Sequence, residues 1–141
     1  MTIYLDTSVA VPLFVPEPTS EAVAAWLADC ADPIVSADWI GTEFASALSI
    51  KVRCTALSAE QAQAAWDEFE VFCGAGLRLI QVSRNAFRHA ARLARVAGSG
   101  LRSGDSLHLA VAIEIGAAGF ATADGNLEAN ARRQGLKIIR F

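Results

Sequence analysis

The chain has 141 residues, of which 53% are hydrophobic and 19% charged, and its formal net charge is −3 at pH 7. This length and apolar content predict a single domain over residues 1–141 with one packed core and exclude a largely disordered protein, while the three cysteines, which form no CxxC pair, exclude a disulfide framework. No apolar run approaches the ~20 residues of a membrane span, and no basic segment precedes an apolar one as in a signal peptide, so we expect a cytoplasmic protein.

Short β-favouring segments alternate with longer helical patterns along the chain. Strands are predicted at 2–5, 34–36, 79–82, 118–122 and 136–140. Helices are predicted at 9–15, from 19 or 20 to 30, 38–53, 58–72, from 83 or 85 to 97, from 103 onward, and at 126–134. This alternation predicts a three-layer α/β domain with a mainly parallel, five-stranded sheet and right-handed crossovers.

The charges are distributed unevenly. Residues 1–70 contain eleven acids and two bases, whereas residues 71–104 contain six arginines and no acid. Most of these arginines repeat every three or four residues on one face of the fifth helix, and one more follows it: Arg84, Arg88, Arg92, Arg95 and Arg102. The pattern predicts a surface for the phosphates of RNA, although a solvated helix face that pairs with the acidic preceding helix explains it almost as well.

Four acidic residues fall where this layout brings chain segments to one edge of the sheet. Asp6 and Asp124 each follow a strand, and Asp105 lies in the first turn of a helix whose start faces the same edge. Glu43 lies about one turn into its own helix, at the border of the apolar stripe. We therefore expect the four carboxylates to converge.

Converging carboxylates with no Lys or Arg among them would repel one another strongly at low dielectric. A divalent cation removes that repulsion, and oxygen ligands favour Mg²⁺ or Mn²⁺ over zinc. Such ions provide water nucleophiles and neutralise charge in phosphoryl displacement. Together with the arginines, the acids indicate phosphodiester chemistry on a nucleic acid.

Each acid also has an interpretation that needs no ligand. Asp6 could cap the helix that follows it, and Glu43 could be a solvated helix residue. Asp105 could complement its helix dipole, and Asp124, which precedes Gly125, could be a turn residue. The presence of all four favours the metal site.

The same segments resemble a known family. Four strings carry the resemblance: Tyr4-Leu5-Asp6-Thr7-Ser8, Glu43 in the helix after Ile34-Val35-Ser36, Gly104-Asp105-Ser106-Leu107-His108-Leu109-Ala110, and Phe120-Ala121-Thr122-Ala123-Asp124. In order and spacing they are similar to the four signature regions of PIN-domain ribonucleases, above all the VapC toxins of bacterial toxin-antitoxin pairs. The resemblance covers nearly the whole chain.

The resemblance implies a PIN-like α/β/α fold and a metal-dependent endoribonuclease that hydrolyses RNA by metal-activated water. It implies an acidic quartet that holds Mg²⁺ or Mn²⁺, formed by Asp6, Glu43, Asp105 and Asp124. It also implies a toxin that forms homodimers and is inhibited by a VapB antitoxin, whose tail occupies the acidic groove, often through an arginine.

Other positions match the family's pattern beside the acids. Ser8 and Thr122 match its hydroxyl positions, which imply a role in ordering water at the metal. Asn126 matches a further polar position after the last acid, but it is equally the N-cap of the last helix. His108 lies three residues after Asp105 on the same helix face; we expect it to be a packing histidine with one hydrogen bond and leave it out of the catalytic set.

Two other functions compete with this one. The first is a module of the same fold that binds RNA or a protein without cleavage. The second is a phosphatase with Asp6 as the nucleophile, a chemistry that normally needs a second acid two residues later, where this chain has Ser8.

Overall fold

The computed structural model describes residues 1–141 and contains five strands, seven α-helices and one short 3-10 helix, Ala97–Ser99. The strands are β1 Ile3–Leu5, β2 Ile34–Ala37, β3 Arg78–Ile80, β4 Gly119–Ala121 and β5 Lys137–Ile139. The α-helices are α1 Thr7–Phe14, α2 Ser20–Asp29, α3 Trp39–Arg53, α4 Ala59–Ala75, α5 Arg84–Ala94, α6 Ser103–Glu114 and α7 Gly125–Arg133. None of these helices has the length and apolar character needed to cross a membrane.

The strands form one sheet in the order β3-β2-β1-β4-β5, and every neighbouring pair is parallel. β1 is therefore the central strand, and all carboxyl ends lie at the same edge. In the register of β1 and β4, Leu5 is paired with Ala121, so the residues that follow both strands leave the sheet side by side. The predicted α/β fold with a five-stranded parallel sheet is confirmed.

Helices cover both faces of the sheet. Successive side chains of β1 point to opposite faces: Leu5 contacts the cluster that contains Phe44 and Phe69, whose rings stack with centroids 4.1 Å apart. Tyr4 contacts the other cluster, where its ring stacks on Phe120 with centroids 5.3 Å apart and where α6 is buried along most of its length. Each of these two clusters fills the space between the sheet and one layer of helices.

The predicted bounds of several helices were wrong: α1 begins at Thr7 instead of residue 9, and α4 ends at Ala75 instead of residue 72. α5 ends at Ala94 instead of residue 97, because Val96 is extended and Gly100 takes a left-handed φ of 69° that turns the chain toward α6. α7 begins at Gly125, and its N-cap is Asp124 instead of Asn126, since Asp124 Oδ1 accepts a hydrogen bond of 2.8 Å from the Leu127 amide.

Candidate active site

Asp6 lies directly after the central strand and is buried, with 4% of its surface exposed. Its Oδ1 accepts a hydrogen bond of 2.7 Å from Ser8 Oγ, and its Oδ2 accepts one of 3.1 Å from Thr122 Oγ1. It occupies the N-cap position of α1, but its carboxylate makes no cap hydrogen bond, so capping does not explain it. No Lys or Arg forms an ion pair with it. Burial raises the pKa of Asp6 to about 6, although both hydroxyl hydrogen bonds act to lower it.

The same two hydroxyls connect Asp6 to the start of α7. Ser8 Oγ accepts a hydrogen bond of 2.8 Å from the Ala123 amide, and Thr122 Oγ1 accepts one of 3.0 Å from the Asp124 amide. The Asp6 carboxylate is thus held in a fixed orientation next to the backbone of Asp124.

Glu43 is half-buried on α3, and its Oε2 accepts hydrogen bonds from Thr7 Oγ1 and from His108 Nε2, the latter at 2.7 Å. Burial acts to raise the pKa of Glu43, but the hydrogen bonds from His108 and Thr7 outweigh it and leave the pKa below its ordinary value. Glu43 is therefore an ionised group tied to two other segments of the chain. The interpretation of Glu43 as a solvated helix residue is wrong.

Glu43 is held in place by a series of buried hydrogen bonds that runs from Ala37 through Tyr4 and His108. The Ala37 amide donates to the Tyr4 hydroxyl at 3.0 Å, and this hydroxyl lies 2.7 Å from His108 Nδ1. Burial raises the pKa of Tyr4, so its hydroxyl keeps its proton and donates it to Nδ1. Every group in the chain is satisfied when His108 carries its own proton on Nε2 and donates it to Glu43. His108 is thus a positioning residue with two strong hydrogen bonds rather than the one expected.

The close approach of α6 to α3 depends on Gly104. A Cβ at this position would overlap Glu43 Oε1 and would lie 3.1 Å from Trp39 Nε1. Trp39 Nε1 is itself buried without a hydrogen-bond partner. Only glycine therefore fits beside the Glu43 carboxylate.

Asp105 and Asp124 form another part of the same edge, where each contributes to a helix start. Asp105 Oδ2 accepts a hydrogen bond of 3.1 Å from the Arg102 amide, and Asp124 caps α7. The Arg102 side chain, which is 82% exposed, lies between them, with Nε 3.5 Å from Asp105 and a terminal nitrogen 3.9 Å from Asp124. Both acids therefore do stabilise helix starts, as the interpretations that need no ligand expected. Helix capping does not explain why the Arg102 side chain lies between the two carboxylates.

The four acids have the chemistry of a divalent-cation site. Three of them keep one oxygen without a hydrogen bond: Glu43 Oε1, Asp105 Oδ1 and Asp124 Oδ2. Asp6 is a buried carboxylate without a cationic partner, and an all-oxygen donor set suits Mg²⁺ or Mn²⁺. As the side chains stand, no three of the protein's His, Cys, Asp or Glu residues are close enough to enclose an ion. The residues fit the cation by donor type, and Arg102 is the positive charge nearest to Asp105 and Asp124.

The remaining predicted residues lie apart from the acids. The side chain of Asn126 packs beside Gly100 and forms no hydrogen bond with any of the four carboxylates. The four predicted arginines of α5 are exposed on that helix: Arg84, Arg88, Arg92 and Arg95. Of the predicted RNA-binding set, Arg102 alone reaches the carboxylates.

Sequence reasoning missed Tyr4 and Thr7 and gave too small a role to His108. A weak signal was present, because a single hydroxyl-bearing ring interrupts an otherwise aliphatic strand, and a histidine one turn after an acid shares its helix face. Their partners are 33 to 104 residues away in the chain, and no local pattern pairs residues at that separation.

The comparisons with known proteins agree with this architecture. The model of the PIN domain family matches residues 3–133. Among solved structures, VapC20 of Mycobacterium tuberculosis, a toxin that cleaves the sarcin-ricin loop, is 16% identical, with a TM-score of 0.73 over 91% of this chain and 94% of that chain. VapBC2 of Rickettsia felis, bound to promoter DNA, is 19% identical, with a TM-score of 0.65 over 99% and 98%. FitAcB of Neisseria gonorrhoeae is 18% identical, with a TM-score of 0.67 over 97% and 96%. No curated protein matches the sequence.

Proposed function

The chain belongs to the PIN domain family, and from this premise we propose that it is a metal-dependent endoribonuclease, the toxin of a VapBC-type toxin-antitoxin module. The observation that carries the proposal is the Asp6 carboxylate. It is buried at the end of the central strand, bonded to two hydroxyls, and faces no cationic side chain. A protein with no ligand for this group would gain stability from an uncharged residue there.

We assign the metal to the acidic quartet, with Mg²⁺ or Mn²⁺ held by Asp6, Glu43, Asp105 and Asp124. A divalent cation supplies an oxygen nucleophile at neutral pH and neutralises charge on the phosphoryl group. Ser8 and Thr122 fix the orientation of Asp6 through their hydroxyls. His108 and Thr7 hold one oxygen of Glu43 so that the other faces Gly104. These contacts preorganise Asp6 and Glu43 before any substrate arrives.

The partner in this proposal is a VapB-type antitoxin, and the active toxin is a homodimer. The similarity to the toxin VapC20 and to VapBC2 supports the toxin and antitoxin assignments, and the homodimer is what the resemblance to the family implies. An antitoxin that places an arginine among the acids would make the same kind of contact that Arg102 makes with Asp105 and Asp124.

The test is RNA cleavage by the purified chain, free of any partner, with Mg²⁺, with Mn²⁺ and with a chelator. We expect cleavage with either ion and none with the chelator. Asp6→Asn should abolish cleavage and growth inhibition while the circular dichroism spectrum is unchanged. Asp67→Asn, which makes the same change from carboxylate to amide at an exposed position on α4, should cleave like the wild type.

Three outcomes would contradict the proposal. Cleavage by Asp6→Asn at the wild-type rate would show that the Asp6 carboxylate has no role in the reaction. RNA binding without cleavage in either metal would support the non-cleaving module. A phosphorylated Asp6 trapped from a phosphomonoester would support the phosphatase.

A further inference from the structure

The exposed face of α5 is a row of four arginines, Arg84, Arg88, Arg92 and Arg95, which we call the arginine track. The spacing places all four on one side of the helix, along about 16 Å of its axis. None of the four forms an ion pair with any carboxylate of the protein. The interpretation of these residues as partners of the acidic helix α4 is therefore not supported by the contacts.

The arginine track makes no contribution to the packing of α5. α5 packs through its opposite face, where Ala86 and Ala90 are buried, and it runs antiparallel to α6, with Ser83 Oγ 2.7 Å from Glu114 at the far end of that helix. Like charges one turn apart destabilise a helix, and Arg84 in the first turn opposes the helix dipole. A row of cations with no counter-charge is thus kept at a cost in stability.

The track leads to the acidic edge. From the end of α5 the chain passes through the 3-10 helix Ala97–Ser99 to Arg102, whose side chain contacts Asp105 and Asp124. Because α5 and α6 are antiparallel, Arg95 is at the end of α5 that lies toward the start of α6, and Arg84 is at the distant end. Arg95 and Arg102 therefore lie toward the end of the α5–α6 pair at which the carboxylates are found, and Arg84 lies toward the other end.

One aromatic side chain lies beside the track. Phe87 follows Arg84 by one turn and is 51% exposed, which is unusual for a ring of this size. Regularly spaced cations with a neighbouring exposed ring are the surface that single-stranded nucleic acids use, the cations for phosphates and the ring for base stacking. A protein partner would instead need a broad apolar centre, and the side of α5 that carries the track has only this ring.

We propose that the arginine track with Phe87 is a binding site for single-stranded RNA, which holds the strand on one side of the cleaved bond and guides it to the acids. The proposal rests on the function proposed above, since it names how that site takes its substrate. It predicts that recognition at α5 is through phosphates and is insensitive to sequence.

The test uses binding as well as cleavage, so that the two proposals can fail separately. Binding of a fluorescent single-stranded RNA is measured by anisotropy on the Asp6→Asn protein in a chelator, where no cleavage takes place, over a range of salt concentrations. We expect Arg88→Gln/Arg92→Gln in this background to weaken binding at least tenfold. The slope of log affinity against log salt should fall by about 1.4, because each phosphate contact on a single strand contributes about 0.7.

The matched control is Arg53→Gln/Arg133→Gln, which removes the same charge from exposed positions on α3 and α7. Binding and salt slope should change little. Phe87→Ala should weaken binding without changing the slope. Equal losses of RNA binding in the control and in the track variant would overturn the proposal. Unchanged RNA binding in the track variant would also overturn it, even if that variant lost its affinity for a protein partner.

Cleavage gives a second and independent readout. With metal, Arg88→Gln/Arg92→Gln in the wild-type background should raise KM for a long RNA and leave kcat nearly unchanged. Cleavage of a dinucleotide, whose single phosphate is the one at the acids and leaves none for α5, should be the same as in the wild type. Equal losses on both substrates would contradict a binding track, whereas absence of cleavage in the wild type, with the binding differences intact, would contradict only the nuclease.

Discussion

The two halves of the acidic edge are held in different ways. The inner half, Asp6 and Glu43, is fixed by buried hydroxyls and by the chain that runs from Ala37 through Tyr4 to His108. The outer half, Asp105 and Asp124, is held by the caps of its own helices and by one exposed arginine. From these contacts we infer that the inner half is held in place before a ligand binds and that the outer half adjusts to one.

This difference predicts that substitutions in the inner half change the stability of the protein, while those in the outer half change its affinity for ligands. The largest effect should come from His108→Ala, which empties a buried site and leaves Tyr4 and Glu43 without a partner. We expect the free energy of unfolding to fall by about 3–5 kcal/mol. Urea denaturation measures this loss, and His89→Ala on α5 is the control. A loss of similar size in the control would contradict the role of the buried chain.

The second prediction concerns Gly104→Ala. The new methyl group overlaps the Glu43 carboxylate, so either this carboxylate leaves its hydrogen bonds to Thr7 and His108 or α3 and α6 separate, at a cost of about 1–3 kcal/mol. RNA cleavage should fall together with stability, because Glu43 loses its position. Gly74→Ala, which adds a methyl group to open space on α4, should be neutral or stabilising in the same melting experiment.

The third prediction has the opposite sign. The folded pKa of Asp6, about 6, lies above its ordinary value of 3.8, so ionised Asp6 destabilises the metal-free protein progressively as the pH rises from about 4 to 6, and fully above that range. Asp6→Asn should therefore raise the stability at pH 7.5 in chelator by about 1–3 kcal/mol, with the difference fading toward pH 4.

Metal should reverse this order. Saturating Mn²⁺ is expected to raise the melting temperature of the wild type and to leave Asp6→Asn almost unchanged. An Asp6→Asn variant that is less stable than the wild type in chelator at pH 7.5 would show that the carboxylate is stabilising on its own.

The smallest effect is expected at the outer half. Arg102→Gln removes the cation next to Asp105 and Asp124, and because exposed ion pairs contribute little, stability should change by less than about 1 kcal/mol. The affinity for Mn²⁺, measured by calorimetry, should increase a few-fold because the competing positive charge is gone. Arg133→Gln is the control, and a weaker affinity in Arg102→Gln than in this control would contradict the competition.

The sequence was a good guide to the fold and to the edge of the sheet at which the four predicted acids lie. The alternation of strands and helices predicted the parallel sheet, because each pattern is local, and Asp6 was recognisable as the residue that leaves the first strand. The supports of the site were less predictable. His108 reads as a core residue until its distant partners Tyr4 and Glu43 are known, and the position of Arg102 between Asp105 and Asp124 depends on a turn that follows α5.

The order of strands has a consequence for synthesis on the ribosome. The first strand made is the central one, and it lacks one neighbour until β4 emerges, more than a hundred residues later. Thr122 and Asp124, which complete the surroundings of Asp6, are made later still. The surroundings of Asp6 are therefore incomplete until most of the polypeptide has been released from the exit tunnel, so the nuclease activity proposed above would be absent from the nascent chain.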